Sequence, residues 1–266
     1  MDGGVLSAET VQGESARYAA EVVCIPGLWS GSAVWRGFAG YLAHRGWHCH
    51  LLDVRPVSGG VEARGAAVAQ YAAGLATPAI LLGHDGGSLV ALAAARRTLP
   101  AALVLLAPLA PGSRGARLLT VTPRSLLALV LGRPVPPPSG LAAAAWLDVP
   151  APARARVEPL LAAEDPATMR DVVWGRYRLG PGPGPPALLV AGGRDRMLPP
   201  AVAGPLAHAL GAELRVLETL GHWPLAGPGW QDAVAVVHRW LVQRLGESLL
   251  ELHAEAMAER ESEEEE

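Results

Sequence analysis

The apolar run Ala79-Ile80-Leu81-Leu82 leads straight into Gly83-His84-Asp85-Gly86-Gly87, and residues 87–98 continue with helix-forming character. A buried strand that turns directly into a helix must reverse within very few residues. The small residues at 83 and 87 permit that close backbone approach. The residue between them is pushed out at the tip of the turn, so Asp85 is expected to face a pocket rather than the core.

The same grammar repeats along the chain. Glu21–Ile25 reads as a buried strand closed by Pro26-Gly27, residues 33–45 as a helix, and 47–53 as a strand ending in Asp53. Residues 61–75 carry apolar side chains at helical spacing, and Ala102–Ala107 is a further buried strand. Strands alternating with helices predict an α/β fold, a mostly parallel doubly wound sheet with helices on both faces. The alternation stops at Pro108. Helical pieces broken by Pro134, Pro136-Pro137-Pro138 and the stiff run from Gly180 to Pro186 then form an inserted helical lid, 109–186. The sheet resumes at Ala187–Ala191, with a helix near 199–210, a strand at 213–217 and a last helix from about Gln231. The predicted division is an N-terminal extension (1–20), a core (21–108 and 187–245), the lid, and a C-terminal helix extension with an acidic tail (246–266).

Composition narrows the function. Half of the 266 residues are hydrophobic, enough for one large α/β core. The formal net charge of −3 gives no electrostatic basis for binding nucleic acid or an anionic membrane. Every basic residue among the 22 is arginine, and asparagine is absent too. P-loop and Schiff-base lysine chemistry are thereby excluded, as is any asparagine side-chain donor. The N-terminus lacks a signal-peptide pattern and no stretch approaches about 18 uninterrupted apolar residues, so the expected location is cytoplasmic. Cys24 and Cys49, on neighbouring predicted strands, are expected as buried thiols.

Two further motifs fall at strand ends. Asp195 stands in Gly192-Gly193-Arg194-Asp195 after one buried strand, and His222 stands in Leu220-Gly221-His222-Trp223-Pro224 after the next. With Asp85, their order and context resemble the α/β-hydrolase fold superfamily over residues 21–245. The resemblance implies Asp85 as nucleophile, Asp195 as orienting acid and His222 as base. It also implies backbone oxyanion donors at Leu28 and Gly86, since Pro26-Gly27-Leu28-Trp29 occupies the family's oxyanion-loop position with proline where histidine is usual. The short segment before the first strand implies a reduced or missing opening hairpin. The lid and C-terminal half resemble small bacterial serine hydrolases, whereas Gly83-His84-Asp85 resembles the elbow of epoxide hydrolases and dehalogenases.

An aspartate at the elbow changes the chemistry. A carboxylate with an ordinary pKa of about 3.9 at a helix N-terminus is ionised at neutral pH and needs no base to become nucleophilic. Its natural target is an sp³ carbon bearing a leaving group, which yields an alkyl-ester intermediate. Attack on a carboxylic ester would form an anhydride and expel a poor leaving group. Epoxide opening is favoured over dehalogenation, although Tyr177 is the sole lid tyrosine available as an acid. Halide stabilisation lacks its usual donors, since Gly86 rather than tryptophan follows Asp85. Trp29, Trp146 and Trp174 complete the expected pocket, with packing as their alternative role. The expected substrate is a small apolar molecule, and no metal or cofactor is required. The alternative is a catalytically inactive scaffold of the serine-hydrolase type that binds a small molecule or regulates.

The remaining histidines show no metal-ligand spacing. His48 and His50 fall on one face of a strand, where exposure is expected rather than ligation. His84 is expected to pack structurally, Asp53 to cap a turn, and Trp223 and Trp230 to line the pocket wall.

Overall fold

The computed structural model describes residues 4–13, 17–112, 122–180 and 184–245. Seven strands form one sheet in the order β1-β3-β2-β4-β5-β6-β7. They are β1 (Ser7–Val11), β2 (Glu21–Ile25), β3 (His48–Asp53), β4 (Ala79–His84), β5 (Ala102–Leu106), β6 (Ala187–Gly192) and β7 (Glu213–Leu217). All neighbouring pairs are parallel except β1 with β3. β2, β4, β5 and β6 are almost wholly buried, as expected for continuous apolar runs with helices on both faces.

Connecting helices are α1 (Arg36–Ala43), α2 (Gly60–Ala73) and α3 (Gly86–Ala95). Between β5 and β6 lie α4 (Pro123–Val130), α5 (Gly140–Leu147), α6 (Ala151–Val157) and α7 (Pro166–Val173); α8 (Pro200–Leu210) and α9 (230–245) follow. Four of these start on chemistry that satisfies or removes the orphan N–H groups of a first turn. Thr122 and Asp165 accept from Ser125 and Thr168, and proline occupies the first turn of α4, α6, α7 and α8. Among the described residues, no helix is long and apolar enough to cross a membrane.

Within the N-terminal extension, residues 7–11 form the edge strand β1, antiparallel to β3. As an edge element exposed on much of its surface, it carries no apolar run to announce it. Cys24 and Cys49 are buried and free, on the adjacent strands β2 and β3. Asp53 caps its turn, accepting the Arg55 N–H at 3.0 Å. The predicted acidic tail lies outside the described residues.

The C-terminal ends of the parallel strands define the functional edge, where loops diverge and leave room for a site. Leu28 follows β2, Asp85 follows β4, Asp195 follows β6 and His222 follows β7.

Candidate active site

Asp85 sits at φ 49° and ψ −123°, a left-handed conformation that a non-glycine residue holds only when its surroundings impose it. The surroundings do so at both ends. A Cβ on Gly83 would stand 2.7 Å from the Gly87 carbonyl oxygen, and one on Gly87 would collide with the carbonyl oxygens of Ile25 and Pro26. The backbone is clamped as well, with Asp85 N–H donating to Leu106 O at 3.2 Å and Asp85 O accepting from Leu109 N–H at 3.3 Å.

The carboxylate is fully partnered. Oδ2 accepts the Leu28 backbone N–H at 2.9 Å, and the Gly86 backbone N–H also bonds to the carboxylate. Oδ1 lies 3.2 Å from His222 Nε2, and His222 Nδ1 lies 3.1 Å from Asp195 Oδ2. The other oxygen of Asp195 accepts the N–H groups of Met197 and Leu198 at 2.7 and 2.9 Å, which fixes that carboxylate in turn. The positions predicted for Asp85, His222, Asp195, Leu28 and Gly86 are thus brought into one hydrogen-bonded array.

Charge is organised accordingly. Burial pulls the His222 pKa down, but the charges and hydrogen bonds of Asp195 and Asp85 outweigh it and raise it to about 10. Burial alone would raise both aspartates, yet their contacts with His222 hold each below the ordinary carboxylate value. These shifts all favour a carboxylate–imidazolium–carboxylate array at neutral pH. His84 is the reverse case: burial, then the charge of His222, lower its pKa to about 4. As a neutral ring it donates from Nε2 to the His222 carbonyl oxygen at 2.9 Å, so it holds the His222 backbone in place.

The expectation that Asp85 faces a pocket is corrected: Asp85 and His222 have no exposed surface, because the packing around the turn closes over them. An edge-to-face aromatic chain stands beside them. Trp29 meets Trp146 with ring centres 5.0 Å apart, Trp146 meets Trp223 at 5.2 Å, and Trp223 meets His84 at 4.9 Å. A cavity of about 630 Å³ opens on the outer side of this wall, lined by Asp148, Arg194, Arg196, Gly221 and Trp223, without Asp85 in its lining.

Three pocket residues expected from the sequence are elsewhere. Tyr177 lines a separate cavity with Leu92, Arg96, Leu103 and Leu210. Leu103 pairs with Leu81, four residues before Asp85, so Tyr177 belongs to the opposite end of the strands, roughly 13 Å away. Burial also raises its phenol to about 12, which suits packing rather than proton donation at the elbow. Trp174 is at the surface, with the Arg176 guanidinium 4.5 Å from its ring centre. Trp230 packs against Tyr41 rather than on the site wall.

Sequence reasoning missed the anchor of the oxyanion loop. Trp29 also has a positive φ, and its N–H donates at 2.9 Å to Glu164 Oε2, while Glu164 Oε1 receives Arg64 at 2.5 Å. Glu164 sits just before α7, between β5 and β6, and an isolated bridge joins Ser30 to Leu161 beside it. Arg64 was detectable, since it lies on the apolar stripe of α2 with Val61 and Val68. A charge on such a stripe requires a buried partner.

Comparison with known proteins places this geometry. A family model described as the alpha/beta hydrolase family matches residues 22–238, and the chain belongs to that family. Similar solved structures include a thermophilic esterase from Thermogutta terrifontis, with a TM-score of 0.65 and 18% identity over 90% of this chain and 93% of that one. A monoacylglycerol lipase from Paleococcus ferrophilus gives 0.66 and 20%, covering 90% and 99% respectively. The type II thioesterase BorB from the borrelidin biosynthetic cluster gives 0.59 and 19%, covering 89% and 95%. At these identities the likeness is one of fold. No curated protein sequence matches the chain.

Proposed function

We propose that this member of the alpha/beta hydrolase family opens small apolar epoxides through a covalent ester on Asp85. The supporting observation is the division of labour between the two oxygens of that carboxylate. Oδ2 is held by the Leu28 N–H, the Gly86 N–H also bonds to the carboxylate, and Oδ1 is directed at His222.

In the first step Oδ1 attacks an epoxide carbon and the carbon–oxygen bond of the ring breaks. The departing alkoxide takes the proton on His222 Nε2, which the imidazolium carries at rest. Alkylation also removes the negative charge of Asp85, so one of the two carboxylates that raise the His222 pKa is gone. The neutral imidazole then takes a proton from water as that water attacks the Asp85 carbonyl carbon. Charge develops on Oδ2, where the Leu28 N–H already points, a contribution of roughly 3–4 kcal/mol per donor in other enzymes. Collapse expels the diol oxygen, which His222 protonates, and the carboxylic acid of Asp85 returns its proton to His222. This route supplies the leaving-group acid from His222, a role that Tyr177 is too distant to fill. A halide has no use for that proton, which ranks dehalogenation second. A small apolar substrate suits the indole wall, which must part to admit it because the carboxylate is buried.

That same burial favours a second reading, in which the saturated ionic array only braces a non-catalytic scaffold. Mass spectrometry separates the two. Turnover of styrene oxide and aliphatic epoxides by the native chain in H₂¹⁸O should place ¹⁸O in the Asp85 carboxylate, because the ester is hydrolysed at its carbonyl carbon. Absence of label on Asp85 and of turnover across epoxides and haloalkanes would establish the scaffold reading.

A further inference from the structure

We propose that Glu21, His48 and His50 form a binding site for one divalent transition-metal ion, Zn²⁺ by the chemistry of its donors. The site is independent of the Asp85 array, because it lies at the other end of the sheet, where β2 and β3 begin.

Strand geometry creates the cluster. Parallel pairing sets Glu21 directly opposite His48, and His50, two residues on, projects from the same face. Glu21 Oε2 lies 3.2 Å from His48 Nδ1 and 2.5 Å from His50 Nε2, and one ligand atom from each residue falls within 4.8 Å of the other two. A tetrahedral ion about 2.0–2.1 Å from each donor separates its ligands by about 3.3 Å. The Glu21–His48 spacing already matches, and a small rotation of the Glu21 carboxylate opens the other.

The surrounding groups orient these donors. Tyr71 Oη bonds to His50 Nδ1 at 2.8 Å, leaving Nε2 for the ion, and Thr77 Oγ1 donates to Glu21 Oε1 at 2.9 Å, leaving Oε2. Metal-binding histidines and carboxylates are held in this way by partners on their far atoms. His48 Nε2 is buried without a hydrogen-bond partner among the described residues, while its Nδ1 faces Glu21. The Glu21 and His50 side chains are largely buried, whereas that of His48 is 30% exposed, which gives an ion and a fourth water ligand a way in. Two imidazoles and one carboxylate suit zinc better than calcium or magnesium, which prefer all-oxygen shells. The expectation of exposed, unconnected histidines is therefore corrected: register places them against an acid on the adjacent strand.

The test is calorimetric titration of the metal-stripped full chain with ZnCl₂, alongside X-ray absorption of the loaded protein. One saturable site with imidazole scattering is expected, with affinity reduced at least tenfold in His48→Gln and in Glu21→Gln. Tyr71→Phe, which removes no ligand, should weaken binding by about 10–100-fold. His208→Gln, on the exposed part of α8, should leave it unchanged. Absence of saturable binding, or binding unaltered in both His48→Gln and Glu21→Gln, overturns the proposal. The His48 side chain is 30% exposed, so its variant should fold, and a circular dichroism spectrum checks that it has.

Discussion

The Leu28 backbone N–H donates to Asp85 Oδ2 at 2.9 Å. The Asp85 carboxylate therefore takes up the backbone donor that the proposed mechanism uses as an oxyanion hole, a donor that a serine hydroxyl would leave open. Under that proposal, one oxygen of Asp85 starts where negative charge would later collect.

Replacing Asp85 by serine should vacate the hole while keeping His222 and Asp195. The Asp85→Ser variant is expected to hydrolyse activated esters faster than the native chain. Release of p-nitrophenol from short-chain esters measures it, and His222→Gln in the same background should abolish it.

Replacing Asp85 by asparagine removes one of the two charges that hold His222 protonated. The His222 pKa should then fall below its native value of about 10 while staying supported by Asp195. Titration of the imidazole resonances by NMR reads the change directly.

Stability should peak near pH 6.5. His222 is raised above its unfolded value of 6.5, so its stabilisation is full below that pH and is lost as pH rises through about 10. His84 is lowered to about 4, so the cost of protonating it grows as pH falls from 6.5 and is complete near 4. Asp85 and Asp195 are also lowered, and their stabilisation disappears as pH falls through their folded values. Thermal unfolding between pH 3 and 10 should show both limbs, and His222→Gln should flatten the alkaline one.

The Arg64–Glu164 pair is buried on both sides, with 3% and 0% of the side chains exposed. Removing one partner leaves the other charge stranded, so Glu164→Ala should cost about 3–5 kcal/mol in urea unfolding. Arg64→Met with Glu164→Leu should recover most of that loss. The double variant should still release the Trp29 N–H, visible as faster amide exchange at the Leu28–Trp29 turn.

Much of the molecule could be read from its residues. The buried strands β2, β4, β5 and β6 are unbroken apolar runs with turn residues at their ends, so their order and parallel character follow from local pattern. Asp85 and Asp195 were legible because each comes just after such a strand, and His222 because it follows the next strand, β7. The strand β1 was not, because its polar exposed residues owe their conformation to hydrogen bonds with β3. Tyr177 was misplaced because a helical segment between two strands has no pattern that says which end of the sheet it covers.

Local chemistry, then, determines by itself that this chain makes a parallel sheet and that an aspartate is thrust out at one of its turns. Both depend on side-chain periodicity and on the absence of a Cβ at two positions, properties that neighbours in sequence share. Only the tertiary structure decides that the aspartate is sealed, that its second oxygen rests on Leu28, and that Glu164 holds Trp29 from 135 residues away. The same holds for Glu21 beside His48 and His50, which meet through strand register. Burial and charge pairing are set by what the folded chain packs together, and no local pattern encodes them.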